Sequence, residues 1–294
     1  MCPAGRGHTS PTDGKWGTLV TTHPAIINAD ATVRSTPCSA SEQDVWVAIQ
    51  AGQFVAHYQP ILNADTSVRA LEALARWDHP DGRTLPPSEF VCEAYAGGVL
   101  ADIDRAVIKR ALSDQLMWHR WELDLHANVD LETLADSSFA DWLGHALSSR
   151  SFEARRLVLE LDAQSLAATE TTEGWNQVLQ ALTDVRALGV GIAIQSYQGA
   201  ISPVLIENDL VTMLKLDQAI TRQLEPVELW DQVIHTLGDS ITESKLEVTA
   251  VGIVSDSSAD AARELGCTTL QGFHYGFPTT SHKVLAAITT LDRK

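Results

Sequence analysis

The sequence predicts an α/β fold, a (β/α)8 barrel whose first strand runs against the others. Three observations carry this expectation. Eight short apolar runs, many rich in β-branched residues, recur along the chain from Phe54 onward. Helical spacing fills most of the intervals between them, which favours a closed barrel over an open doubly wound sheet. The first two runs are separated only by Asn63 to Ser67. Parallel neighbours need a connection of about a dozen residues or more, so these two must pair antiparallel.

The elements follow in order. Residues 1–40 are rich in Gly, Pro, Ser and Thr, interrupted only by Ala25-Ile26-Ile27, and read as a flexible leader ahead of a barrel domain over 41–294. Order starts at Ser41-Glu-Gln-Asp44, a helix-capping pattern in front of Val45 to Ile49. The strands are expected at Phe54 to Leu62, Val68 to Trp77, Leu123 to Val129 and Arg156 to Asp162. They continue at Val190 to Gln195, Val211 to Asp217, Leu246 to Val251 and Thr269 to Phe273. Among the helices, Trp175, Val178, Leu179, Leu182, Val185 and Leu188 form one apolar stripe that stops at Gly189. Pro226 sits at the first turn of a helix over Val227 to Leu237, and Ser258 to Leu265 ends at Gly266 in the same helix-then-glycine manner.

Composition narrows the function. The chain has 294 residues, 21 of them Lys or Arg against 38 Asp or Glu, for a formal net charge of −17. Nucleic acid and anionic membranes reward clustered cations, so neither is an expected partner. No apolar run approaches the ~20 residues of a membrane span. The four cysteines are far apart, without the spacing of a zinc site or a disulfide framework, and the chain reads as cytoplasmic.

In a barrel of this kind chemistry gathers at the C-terminal ends of the strands. There the second strand carries Glu72, Leu74 and Arg76 at alternating positions, the third ends at Asn128 ahead of Asp130, and the fourth carries Glu160 and Asp162. The fifth ends in Gln195-Ser196, the sixth carries Lys215 and Asp217, the seventh ends at Val251, and the eighth offers Gln271. Carboxylates, an amide and a lysine converging on one point are oxygen-rich company of the sort that suits Mg²⁺ or Mn²⁺.

The stretch Tyr58-Gln-Pro-Ile61, then Leu71-Glu72-Ala73-Leu74-Ala75-Arg76-Trp77-Asp78-His79-Pro80, resembles the opening of an EAL domain, the bacterial cyclic di-GMP phosphodiesterase family. The resemblance continues through Asn128, Leu159-Glu160-Leu161, Leu214-Lys215-Leu216-Asp217, Leu265-Gly266-Cys267 and Gln271-Gly272-Phe273 to Pro278. It implies the EAL-type, TIM-like barrel with a reversed first strand. It also implies hydrolysis of one phosphodiester of cyclic di-GMP by a water activated on Mg²⁺ or Mn²⁺. Carried over by position, Glu72, Asn128 and Glu160 match metal ligands. Lys215 matches the lysine near the attacking water, and Gln271 a further polar residue of the site. Gln59, Leu74 and Arg76 match positions that grip the ligand, with Arg76 suited to a phosphate oxygen.

The departures from the family pattern decide the functional expectation. Intact members carry Asp-Asp-Phe-Gly-Thr-Gly after the fifth strand, where this chain has Gln195-Ser196-Tyr197-Gln198-Gly199-Ala200. The seventh strand of intact members ends Ala-Glu-Gly-Val-Glu, and here both glutamates are valines, Val251 and Val254. The glutamate that steadies the fifth-strand loop is Ala163. With these carboxylates gone, the resemblance implies a degenerate member that is not an enzyme and requires no metal. Two roles fit. One is a cyclic di-GMP receptor that signals through a partner protein, and the other is a regulatory protein-interaction module without the nucleotide. Only the 40-residue leader precedes the barrel, so any output is expected in trans. With the fifth-strand loop altered, a monomer or weak homodimer is expected.

Overall fold

The computed structural model describes residues 40–197, 201–222 and 246–291. The leader, apart from Ala40, and the helix anticipated over Val227 to Leu237 lie outside the described residues. Gln198, Gly199 and Ala200 lie outside them as well.

Helix α1 (Glu42–Gln50) begins with a full capping box: the Ser41 hydroxyl accepts from the Asp44 N–H, and the Asp44 carboxylate accepts from the Ser41 N–H. Strand β1 (Phe54–Asn63) then turns directly into β2 (Val68–Asp78), and the two pair antiparallel, with Gln59 opposite Glu72. A two-residue strand, β3 (Thr84–Leu85), folds back on the far end of β2. It was not anticipated, because two residues carry no readable alternation.

After the helices α2 (Val91–Ala96) and α3 (Leu100–Asp114), the chain alternates regularly. Strand β4 (Asp124–Asn128) is followed by α4 (Leu131–Ala135) and α5 (Phe139–Ser148). Next come β5 (Leu157–Asp162), α6 (Ala163–Glu170) and α7 (Trp175–Ala187). Then β6 (Gly191–Tyr197) leads through α8 (Pro203–Glu207) to β7 (Met213–Leu216) and α9 (Gln218–Arg222). The chain closes with β8 (Glu247–Val251), α10 (Asp256–Glu264), β9 (Thr269–Gln271) and α11 (Ser281–Leu291).

The sheet runs β1-β9-β8-β7-β6-β5-β4-β2, and the additional pairing of β1 with β2 closes it into an eight-stranded barrel. Neighbours are parallel except around β1, which is antiparallel to β2 on one side and to β9 on the other. The short β1–β2 connection is thus the reason the barrel contains one reversed strand.

Strands alternate, so one face of each points into the barrel and the other toward the helices. The outward faces and the helices make one continuous apolar core, from Val45 and Phe54 through Leu159 and Ile192 to Ile288, all buried. Trp77 and Trp118 are fully buried in it, and Trp121 and Trp175 pack against its edge, so none of the four is needed to explain ligand stacking. Inside the barrel the lower layer holds Val158, Ala193 and Met213 in mutual contact, with the Thr249 hydroxyl against the Met213 sulfur and His126 level with Val158. Above that floor the inward face becomes polar.

Candidate active site

Seven side chains from seven strands meet above the floor. Glu72 comes from β2, Asn128 from β4, Glu160 from β5, Gln195 from β6, Lys215 from β7, Gln271 from β9 and Gln59 from β1. The register explains the convergence. Gln59 is paired with Glu72, Asn128 with Glu160, and Gln271 with Val251, while Glu72 is level with His126 and Gln195 with Asp162, so the polar side chains enter the barrel at adjacent levels.

Lys215 lies at the centre. Its Nζ donates to both oxygens of Glu160 at 2.7 Å and to Glu72 Oε2 at 2.9 Å. Burial opposes ionisation of Glu160, yet the Lys215 ammonium and the neighbouring His126 hold its carboxyl down at about 2. Burial likewise works against the Lys215 charge, and the two carboxylates overcome it and raise the lysine above its ordinary value. Both Glu160 and Lys215 are therefore charged.

His126, two residues before Asn128 on the same face of β4, places Nδ1 2.8 Å from Glu160 Oε1. An ionised carboxylate only accepts, so that nitrogen carries the proton. His126 escaped the sequence reading, although the His-Ala-Asn alternation on this strand was a signal that could have found it.

Amides close the rest of the cluster. Asn128 Nδ2 donates to Glu72 Oε1 at 3.0 Å, and Asn128 Oδ1 accepts from Gln195 Nε2 at 2.8 Å. Gln271 Nε2 donates to Glu72 Oε2 and to Gln59 Oε1, while Gln59 Nε2 reaches the Gly276 carbonyl at 3.0 Å. Among the described residues, Gln271 Oε1 is buried without a hydrogen-bond partner. No group of three or more His, Cys, Asp or Glu side chains among them is disposed to hold a metal ion.

The altered positions are distributed around this cluster. Gln195 and Ser196 sit in a bulge where the β6–β7 register shifts, and Ser196 has φ of 54°, a left-handed conformation uncommon for a side-chain-bearing residue. Both line the open pocket above Lys215, together with Val251 and Val254. Val254 is 59% exposed on the rim beside Phe273, whose ring stacks on Phe277 at 4.4 Å. Ala163 is instead the first residue of α6, beside Asp162.

Leu74 and Arg76 share the inward face of β2 with Glu72, and Arg76 stands about 13 Å further along the strand at ~3.3 Å per residue. Its Nη1 donates to the Ala75 carbonyl at 2.8 Å. Both are buried, and among the described residues neither lines the pocket above Lys215, so they stand apart from the ion-pair cluster. Asp162 caps α6 by accepting from Ser165, and burial raises its carboxyl. Asp217 accepts from the Ala219 N–H at the start of α9.

A further buried acid lies against the β4–α4 turn. Asp104 of α3 accepts from the Asp130 N–H at 3.0 Å and from the Thr133 hydroxyl at 2.7 Å. Burial and the nearby Asp130 charge raise its carboxyl to about 7, against these donors and Arg105. Sequence gave no hint of this pair, whose members belong to different elements.

A closed (β/α)8 barrel with one reversed strand and this polar cluster at its mouth defines the class. Residues 42–278 match the EAL domain, and the chain belongs to that family. It is 27% identical, over 95% of its length, to the bifunctional diguanylate cyclase/cyclic di-GMP phosphodiesterase MucR of Pseudomonas aeruginosa, covering 43% of that protein. It is 28% identical, over 84% of its length, to the cyclic di-GMP phosphodiesterase NbdA of the same species, covering 31% of it. The chain thus spans less than half of either relative. Among solved structures, the MucR phosphodiesterase in complex with c-di-GMP superposes with a TM-score of 0.70 at 25% identity, over 82% of this chain and 98% of that one. The FimX EAL domain of Pseudomonas aeruginosa bound to c-di-GMP gives 0.70 at 22% identity, over 81% and 95%, a likeness of fold. No helix among the described residues is long and apolar enough to cross a membrane.

Proposed function

We propose that this chain is a catalytically silent EAL domain that binds cyclic di-GMP without metal and passes its occupancy to a protein partner in the cytoplasm. One observation carries the reading. The oxygens of Glu72, Glu160 and Asn128 that face the centre are all taken up by the protein's own donors, and the cation among them is the Lys215 ammonium. Hard dications are held largely by anionic oxygens. Here two carboxylates share one internal ammonium, and Gln195, Ser196 and Val251 add no charge. This donor set does not fit a pair of Mg²⁺ or Mn²⁺ ions.

The same arrangement leaves a pocket above Lys215, lined by Gln59, Glu72, Gln195 and Gln271 and open toward Phe273. In this reading Arg76 engages a phosphate, Leu74 packs beside the ligand, and Asn128 and Glu160 hold Lys215 and Glu72 in place. MucR and FimX, with this fold, are both described as bound to c-di-GMP. The chain acts as a monomer or weak homodimer, and neither nucleic acid nor membrane is its partner.

A second reading, a regulatory interaction module that has dropped the nucleotide, is favoured by one feature. Phe273 and Phe277 are 40% and 66% exposed at the pocket mouth, large apolar surface on an otherwise acidic protein. Calorimetric titration of cyclic di-GMP in EDTA and again in excess Mg²⁺, with chromatography of the products, separates the readings. Binding in EDTA without linear product, weakened about tenfold or more by Arg76→Ala, is the expected result. Absence of heat in both buffers favours the interaction module, and turnover in Mg²⁺ defeats the silent-domain reading.

A further inference from the structure

We infer that Gln195 closes this centre to divalent cations through an amide relay, Gln195 to Asn128 to Glu72, that turns cation-ligating oxygen away from the pocket. The inference rests on the reading of the chain as a receptor without catalysis, and it assigns that property to one residue.

The relay is visible as two successive hydrogen bonds. The Gln195 amide N–H is spent on Asn128 Oδ1 at 2.8 Å, and the Asn128 amide N–H is spent on Glu72 Oε1 at 3.0 Å. A primary amide has one oxygen and one NH₂, so fixing one end fixes the other. With Gln195 donating, Asn128 presents its nitrogen to Glu72 and cannot offer its carbonyl to a metal. Glu72 then has Oε1 capped by that nitrogen and Oε2 capped by Lys215 and Gln271. One donor on β6 thereby controls an amide on β4 and a carboxylate on β2.

The backbone holds Gln195 to this task. It is 3% exposed and lies immediately before Ser196, whose left-handed conformation marks the bulge that ends the regular pairing. Gln195 is register-paired with Asp162, which is occupied in capping α6. A carboxylate at 195 reverses both effects. It donates nothing to Asn128 Oδ1, which is then free to turn into the pocket, and it adds a negative charge beside Glu72.

The test is direct binding of Mn²⁺, read from the electron paramagnetic resonance of the free ion, to the full chain and to Gln195→Asp and Gln195→Ala. The expected order is wild type weakest, Gln195→Ala tighter by release of Asn128, and Gln195→Asp tightest, by roughly tenfold to a hundredfold over wild type. Equal Mn²⁺ affinity across the three, whether high or absent, overturns the relay. Should Gln195→Asp fail to fold, Gln195→Ala decides alone: tighter Mn²⁺ than wild type supports the relay, and equal affinity overturns it. Cyclic di-GMP is titrated into wild type in EDTA in parallel. Failure there overturns the receptor reading, while the Mn²⁺ comparison still decides the relay.

Discussion

Lys215 is buried with two buried carboxylates around it, and its removal is therefore costly. Lys215→Met leaves Glu72 and Glu160 without their shared counter-charge. Breaking a buried ion pair from one side typically costs about 3–5 kcal/mol. Urea unfolding of Lys215→Met is expected to show a loss of that order, and a loss below about 1 kcal/mol would mean the ammonium is not the keystone of the cluster. At this scale much of the site was legible in the sequence. Glu72, Asn128, Glu160, Lys215 and Gln271 are polar residues at inward positions of otherwise apolar strands, which a period of two exposes. Their partners were harder to read. His126 obeys the same alternation, but a histidine there is as readily structural as functional, and the Gln195–Asn128 bond depends on side-chain rotamers that no pattern encodes.

At the scale of elements, the eight barrel strands were legible because each is a short apolar run, and the antiparallel start followed from loop length alone. Ends were less certain: β7 spans Met213–Leu216 where Val211 to Asp217 was anticipated, and α10 begins at Asp256, capped by Ser255. Close backbone contacts were invisible. Gly272 follows β9 where the chain crosses Ile253, with Ile253 N–H donating to the Gln271 carbonyl at 3.0 Å and His274 N–H to the Ile253 carbonyl at 3.1 Å. A Cβ on residue 272 would overlap the Ile253 backbone itself, which has no rotamer with which to yield. Gly272→Ala is expected to lower the melting temperature and also to weaken cyclic di-GMP binding, because the strain falls next to Gln271. A variant with unchanged melting temperature and affinity would show that the crossing relaxes freely.

For the whole molecule, two buried acids set opposite pH dependences. Glu160 is held at about 2, below its ordinary 4.5, so its contribution is present above 4.5 and is lost as pH falls toward 2. Asp104 is raised to about 7 from 3.8, so its contribution is full below 3.8 and is lost as pH rises through 7. The charged groups facing Asp104 are Asp130 and Arg105. Thermal unfolding from pH 4 to 8 should therefore decline on the alkaline side. Asp104→Asn, whose amide oxygen can still accept from Asp130 and Thr133, should flatten that decline. An unchanged profile would remove Asp104 as its source. The overall net charge of −17 was plain from composition, whereas this pair arose only when α3 and the β4–α4 turn packed together.

The reversed first strand has a further consequence, for the order in which the molecule is made. The β1–β2 hairpin closes over a loop of a few residues and can form early, as local pairings do. The opposite edge of β1 must wait for β9, and the Gln271–Gln59 contact spans 212 residues of sequence. Only three residue pairs zip that seam. The barrel is thus completed by its last strand, and the pocket comes into being at the same moment, since Gln59 and Gln271 lie on the two sides of the join. A ligand seated there works as a stitch across the closure, so occupancy and completed folding reinforce one another.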